Sequence, residues 1–223
     1  MIRKVARELL DDDAGSGDEL AANLRDIERA NRWFGTLRAV AAFVWQSGAR
    51  TVLDVGCGTG GVALALLSDA QRRGRQLHVT GLERSTPVLS LARERAKGHS
   101  GLSLVEGDGE ALPYSDHSFD VVICTLTLHH CEPKAAVRLL CEMRRVARIA
   151  PFLCDLRRSR MAYLGALAFA YLSSRNRLTR HDAPLSVERA YTPAEALQLA
   201  QIAHWNRPVV RASPFFRMTV YDA

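Results

Sequence analysis

The sequence predicts an α/β domain, a mostly parallel sheet with helices on both faces, and three observations carry the prediction. From Arg50 onward, short β-rich runs alternate with stretches of helical periodicity, as in a chain that crosses a sheet repeatedly through helices. Two of those runs, TVLDV and DVVICTL, lack strict polar alternation, which marks central strands covered on both sides. The chain has 223 residues, 48% apolar and 24% charged, enough for one large hydrophobic core and hence for a single domain.

The elements follow in order. Leu20 to Trp45 carries Leu, Ile, Trp, Phe and Val at helical spacing, with acids early and arginines later, and reads as one or two amphipathic helices. The DDDAGSGDE segment before them reads as a solvated turn, since the spacing of a calcium loop is absent. The alternating core then runs TVLDV, GVALALLSDAQRR, LHVTGL, TPVLSLARERAK, LSLVEG, FDVVICTL, PKAAVRLLCEMRRVA and APFLCDL. After Asp155 come an apolar helix, a basic polar loop, a helix near Thr192 to Ile202 that Pro193 can start, and short strands at Val209 to Ala212 and Phe216 to Tyr221. The organisation is thus a helical cap (residues 1–48), a core (49–155), an apolar helix with a basic loop (156–190), and a terminal helix with strands (191–223).

Composition narrows the function. The N-terminus MIRKVARELLDDD turns acidic where an export signal needs a continuous apolar run, so a cytoplasmic location is expected. The longest apolar stretch, Met161 to Leu172, falls short of the roughly 20 residues that span a bilayer. Five cysteines without Cys-x-x-Cys spacing argue against a disulfide framework or a zinc site, and no other metal-ligand spacing is evident. The formal charge of +6 is spread out and accompanies no aromatic-basic module, so no nucleic-acid partner is expected.

The chemistry-bearing segment is LDVGCGTGG, between the first core strand and its helix. Its glycines let the chain turn tightly while backbone N–H groups approach a ligand. Gly56, Gly58 and Gly61 also satisfy a dinucleotide pattern, with Glu83 ending the next strand, so glycine spacing alone leaves a nicotinamide or flavin oxidoreductase open.

Four segments in order, LDVGCGTGG, GLERS, EGDGEALPYSDHSFD and VVICTLTLHHCEP, resemble the class I S-adenosylmethionine-dependent methyltransferases, in particular the ubiquinone and menaquinone methyltransferase-like group. The resemblance covers roughly Arg50 to Asp155. It implies a seven-stranded Rossmann-like sheet whose last strand is antiparallel, and S-adenosylmethionine as cofactor across the strand ends. It assigns Asp54 to the ammonium of the cofactor's amino-acid part, and Gly56, Cys57, Gly58 and Gly60 to the loop beneath it. Glu83, followed by Arg84, would accept from the ribose hydroxyls, as two carboxylate oxygens can. Asp108, Gly109 and Glu110 would border the adenine, and Thr125 and Leu126 the methionine part.

Methyl transfer is a displacement at an activated carbon, so the protein must chiefly position the acceptor and remove its proton. His129 and His130, after the fourth strand, are the candidate bases, with His130 preferred; packing roles for both rings fit as well. Asp155, after the fifth strand, either orients a histidine or substrate hydroxyl or pairs with the arginines that follow it. The Met161 to Leu172 helix, with arginines at its ends, reads as a substrate lid, a membrane-surface contact or a core helix. The expected acceptor is a small hydrophobic molecule, aromatic, polyketide-like or quinone-like, methylated on oxygen or carbon. A cofactor-binding module without turnover is the remaining alternative.

Overall fold

A computed structural model describes residues 1–9, 17–213 and 216–223. Residues 1–9 form an N-terminal strap, followed by helices α1 (Gly17–Trp33) and α2 (Thr36–Ser47). The core alternates β1 (Thr51–Val55), α3 (Gly61–Arg72), β2 (His78–Glu83), α4 (Thr86–Ala96), β3 (Leu102–Glu106) and β4 (Phe119–Thr125). A 3-10 turn (Leu128–His130), α5 (Pro133–Val146) and β5 (Ala147–Leu156) complete it. Then follow α6 (Arg160–Ser173), α7 (Arg177–Arg189), α8 (Pro193–Ile202), β6 (Pro208–Ala212) and β7 (Arg217–Asp222).

The seven strands lie in the order β3-β2-β1-β4-β5-β7-β6. All are parallel except β7, which runs antiparallel to both β5 and β6, as the resemblance implied. The period-2 geometry of a strand divides β4 between two cores. Val121 and Ile123 join α2 and α3 on one face, against Val40, Val44 and Leu66. Val122 and Cys124 join α5 and α8 on the other, against Leu139, Met143 and Leu199. The sheet is therefore buried on both sides, which is why its central strands need no polar alternation.

Two expectations need correction. The basic polar loop is helix α7: Asn176 Oδ1 accepts from Leu178 N (2.8 Å) and Thr179 N (3.3 Å), satisfying the first turn. Leu178, Leu185 and Val187 are buried along it, and this tertiary packing outweighs the local cost of Pro184 within the helix. The acidic turn lies mostly outside the described residues, and its last residues, Gly17, Asp18 and Glu19, open α1 instead, where acids favour the helix N-terminus.

Candidate active site

β1 and β4 are neighbours, yet the chain leaves β1 toward β2, so the sheet's switch point lies between them and a crevice opens at their C-terminal ends. The glycine loop occupies that point. Gly56, Gly58 and Gly60 have φ of 69°, 55° and 75°, conformations costly for residues with a Cβ, and a Cβ on Gly56 would collide with Thr127. Gly56 N and Cys57 N donate to Leu82 O at 2.8 and 3.1 Å, locking the loop to β2.

Two carboxylates meet beneath this loop. Glu83 accepts from Gly58 N through Oε2 and from Ser85 N through Oε1, both at 2.9 Å, which fixes its head while leaving further lone pairs. Asp54 is fully buried and neither of its oxygens has a hydrogen-bond partner. Burial first, and the neighbouring Glu83 charge second, push its carboxyl up to about 8. A buried acid without donors is costly, and a cationic group entering the crevice would supply them. An ammonium fits that need, so the residues present suit an amino-acid-bearing cofactor.

The other residues expected at the cofactor lie at the C-terminal ends of β2, β3 and β4 or in the turns that follow them. Asp108 is exposed and accepts from Glu110 N (2.9 Å), closing the turn after β3. Gly109 packs so closely on Val55 that a Cβ would lie 2.8 Å from Val55 Cγ1. Glu110 pairs with Arg138 (Nε to Oε2, 2.8 Å), and Arg84 is exposed. Thr125 ends β4, its carbonyl accepting from Thr127 Oγ1 (3.1 Å). Leu126 is held at φ 53°, a strained conformation for leucine, with its N–H on Cys154 O (3.0 Å).

Leu126 also borders a second space. A cavity of about 140 Å³ lies beyond the ends of β4 and β5, walled by α1, α6 and α7. Ile27, Phe34, Ala166, Phe169 and Val187 make it largely apolar, and Phe169 meets Trp33 and Phe34 edge-on. Phe34 thus walls the cavity, whereas Phe43 stacks on Phe152 and Trp45 bonds Asp69, both structural roles. A buried network ties the walls together: Asp26 accepts from Thr179 Oγ1 (2.8 Å) and Ser174 Oγ, and Asn23 Nδ2 donates to Thr179 Oγ1 (3.1 Å).

His129 and His130 line the cavity beside Glu8. Asp155 Oδ1 lies 2.7 Å from His129 Nδ1, and Asp155 Oδ2 accepts from His129 N at 3.2 Å. Burial alone would raise the Asp155 carboxyl; the charge and hydrogen bond of His129, with the Leu156 N–H, outweigh it and hold Asp155 below its usual value. An ionised Asp155 places the proton of a neutral His129 on Nδ1 and leaves Nε2 as the acceptor. The geometry therefore singles out His129, which is buried, over the half-buried His130. Asp155 answers to the histidine rather than to the arginines after it; Arg158 pairs with Glu195 (2.6 Å).

Two residues here escaped the sequence reading. Glu8, 3% exposed, is carried in by the strap: Ser186 Oγ donates to its Oε1 (2.7 Å), and Arg189 lies 3.6 Å away. Its oxygens stand 3.9 Å from His129 Nε2 and 3.8 Å from His130 Nε2. Arg217, at the start of β7, is a buried cation beside Asp155 with its guanidinium over the Phe34 ring (5.7 Å). No local signal marks either residue, since each acquires its place only through tertiary docking. Glu8, His129 and His130 also satisfy the donor types of a metal site, although Arg189 beside Glu8 opposes a further cation.

Residues 52–149 match the family model described as a methyltransferase domain. That segment holds the glycine loop, Glu83 and both histidines, and its likeness is to a methyltransferase domain. The match favours a methyl donor over the dinucleotide that the glycine spacing left open. The chain is 34% identical over 167 residues to the phthiotriol/phenolphthiotriol dimycocerosates methyltransferase of Mycobacterium tuberculosis, covering 74% of this chain and 50% of that protein. It is 39% identical over 100 residues to the demethylmenaquinone methyltransferase of Shouchella clausii, covering 44% of this chain and 40% of that protein. The chain thus spans half or less of the length of these curated relatives. Among solved structures, the plantazolicin methyltransferase BamL, bound to a triazolic desmethylPZN analog and SAH, superposes with a TM-score of 0.67 at 17% identity, covering 88% of this chain and 72% of that one. That likeness concerns the fold. Among the described residues, no helix is long and apolar enough to cross a membrane.

An ammonium seated on Asp54 would make its binding pH-dependent. The raised value of this carboxyl means that, without cofactor, the folded state holds a proton here between the ordinary carboxylate range and about pH 8. This contribution to stability is therefore lost as pH rises through that window. A bound ammonium favours the ionised form, so binding releases this proton at pH 6. Calorimetry in buffers of different ionisation enthalpy should show more proton release at pH 6 than at pH 9, and Asp54→Asn should remove the difference.

Proposed function

We propose that this chain transfers a methyl group from S-adenosylmethionine to an oxygen or ring carbon of a small hydrophobic acceptor, with His129 as the base. The observation that carries the reading is the Asp155–His129 pair, whose histidine lines a largely apolar cavity that shares the 126–130 turn with the glycine loop. The cofactor, when bound, supplies a methyl group activated by its sulfonium. Asp54 would hold its ammonium and Glu83 its ribose hydroxyls, with Thr127 packed close to Gly56. The apolar walls seat the acceptor and exclude water. His129 Nε2 takes the acceptor's hydroxyl proton as nucleophilicity develops on oxygen or, through the ring, on carbon, and Asp155 stabilises the resulting imidazolium.

The cavity is close in size to the roughly 150 Å³ that accommodates benzene, so it suits one aromatic ring, with any alkyl tail passing between α1, α6 and α7. The names of the two curated relatives, a quinone-directed and a lipid-directed methyltransferase, support this class. Incubation with methyl-labelled donor and a panel of lipophilic phenols and hydroquinones should give labelled, extractable product. Cofactor binding without product across the panel would instead favour a module without turnover.

Glu8→Gln keeps the shape and removes the charge beside both histidines. It should lower kcat/KM for a phenolic acceptor about tenfold, from the lost attraction between its charge and the imidazolium that forms 3.9 Å away. Cofactor affinity, read by calorimetry, should not move.

A further inference from the structure

We infer that the outer face of α6, with the N-terminal strap, is a docking surface for an anionic lipid bilayer. Of the large apolar side chains exposed among the described residues, all but Ile149 and Ile202 lie on the strap, at the end of α1 or along α6. On α6 they are Met161, Leu164, Tyr171 and Leu172, which with exposed Ala168 form one outward stripe at helical spacing. Leu172 is 88% exposed, and Ile2 on the strap 94%. Scattered exposed leucines need no explanation, but a stripe concentrated on one helix does.

Charge selects the occupant. A groove of about 690 Å³ between the strap, α6 and α7 is lined by Lys4, Arg7, Arg175, Arg177 and Arg180, with Glu188 as the single carboxylate among its lining residues. Arg160 begins α6, and the helix itself, RMAYLGALAFAYLS, contains no acid. Apolar side chains flanked by cations, at the level of Tyr163 and Tyr171, match the boundary where acyl chains give way to phosphates. A helix of 14 residues can lie in that boundary, not cross it.

The two faces of α6 connect this surface to the site. Ala162, Gly165, Ala166 and Phe169 line the acceptor cavity from the inner face, while the stripe occupies the outer one. A lipophilic acceptor dissolved in the bilayer would reach the cavity beside this helix without crossing water. This route rests on the proposed acceptor class; the docking surface does not.

The test is sedimentation of the full chain with vesicles of phosphatidylcholine alone or with about 30% phosphatidylglycerol, a content that supplies a negative surface potential. The chain should bind the anionic vesicles at least about tenfold more tightly, and Leu164→Glu with Leu172→Glu, or Arg175→Ala with Arg177→Ala, should each reduce that binding about tenfold or more. S-adenosylmethionine affinity and methylation of a short, water-soluble phenol, measured on the same variants, should stay unchanged. That separates failure of the surface from failure of the activity. Equal binding to both vesicle types, binding that survives the leucine substitutions, or a dimer in sedimentation velocity that those substitutions dissolve would overturn the inference.

Discussion

Asp155→Asn should lower kcat for a phenolic acceptor about 10²- to 10⁴-fold while leaving S-adenosylmethionine affinity intact, the range spanned by general-base catalysis and by tautomer errors in histidine–aspartate pairs. The reason is the direction of one hydrogen bond. Toward neutral His129, ionised Asp155 accepts at 2.7 Å from Nδ1, which leaves the lone pair on Nε2, in a residue that lines the cavity. An asparagine can present its amide N–H to Nδ1 instead, which pins the proton on Nε2 and removes the base without emptying the space. His129→Ala should fall in the same range, and the double variant should lose little more, because the two act as a unit. Comparable cofactor binding in all three variants would place the loss in the chemical step. An unchanged kcat at saturating acceptor would reduce the pair to packing.

Glu83→Ala should weaken S-adenosylmethionine binding about a hundredfold or more, as expected from losing two hydrogen bonds to a charged group at about 1.5 kcal/mol each. The carboxylate accepts from Gly58 N and Ser85 N, so its removal also frees the glycine loop that it fixes. Glu83→Gln separates the two effects. It retains one acceptor oxygen while placing an amide against one of the backbone donors, and should lose affinity with a smaller change in melting temperature than Glu83→Ala. Asp54→Ala should be comparably damaging to binding yet gentler on stability, since the buried Asp54 oxygens have no partners to lose. Calorimetry and thermal melting on the same samples distinguish these outcomes.

The alternation of β-rich and helical runs made the core of the fold legible, because strands such as Thr51–Val55 and Phe119–Thr125 are buried on both faces and declare it in composition. The glycine loop and Glu83 were legible for a related reason: their task depends on local backbone geometry. Helix α7 was not, since its polar residues and Pro184 argue locally for a loop, and only its packing against α6 and α1 decides otherwise. Glu8 was less accessible still. Its carboxylate reaches His129 and His130 from more than a hundred residues away in sequence, through a strap that Arg3 anchors to Arg189 O (2.7 Å) and Cys131 O (2.8 Å). The choice between the two histidines likewise turned on a side-chain distance that spacing does not encode.

The reading as a whole depends on which nucleoside the crevice over Glu83 accepts. Calorimetric titration of the full chain with S-adenosylmethionine, and separately with NAD, measures this directly. One S-adenosylmethionine per chain, lost in Glu83→Ala, with no heat from NAD, is the predicted result; tight NAD binding with no response to S-adenosylmethionine would contradict it.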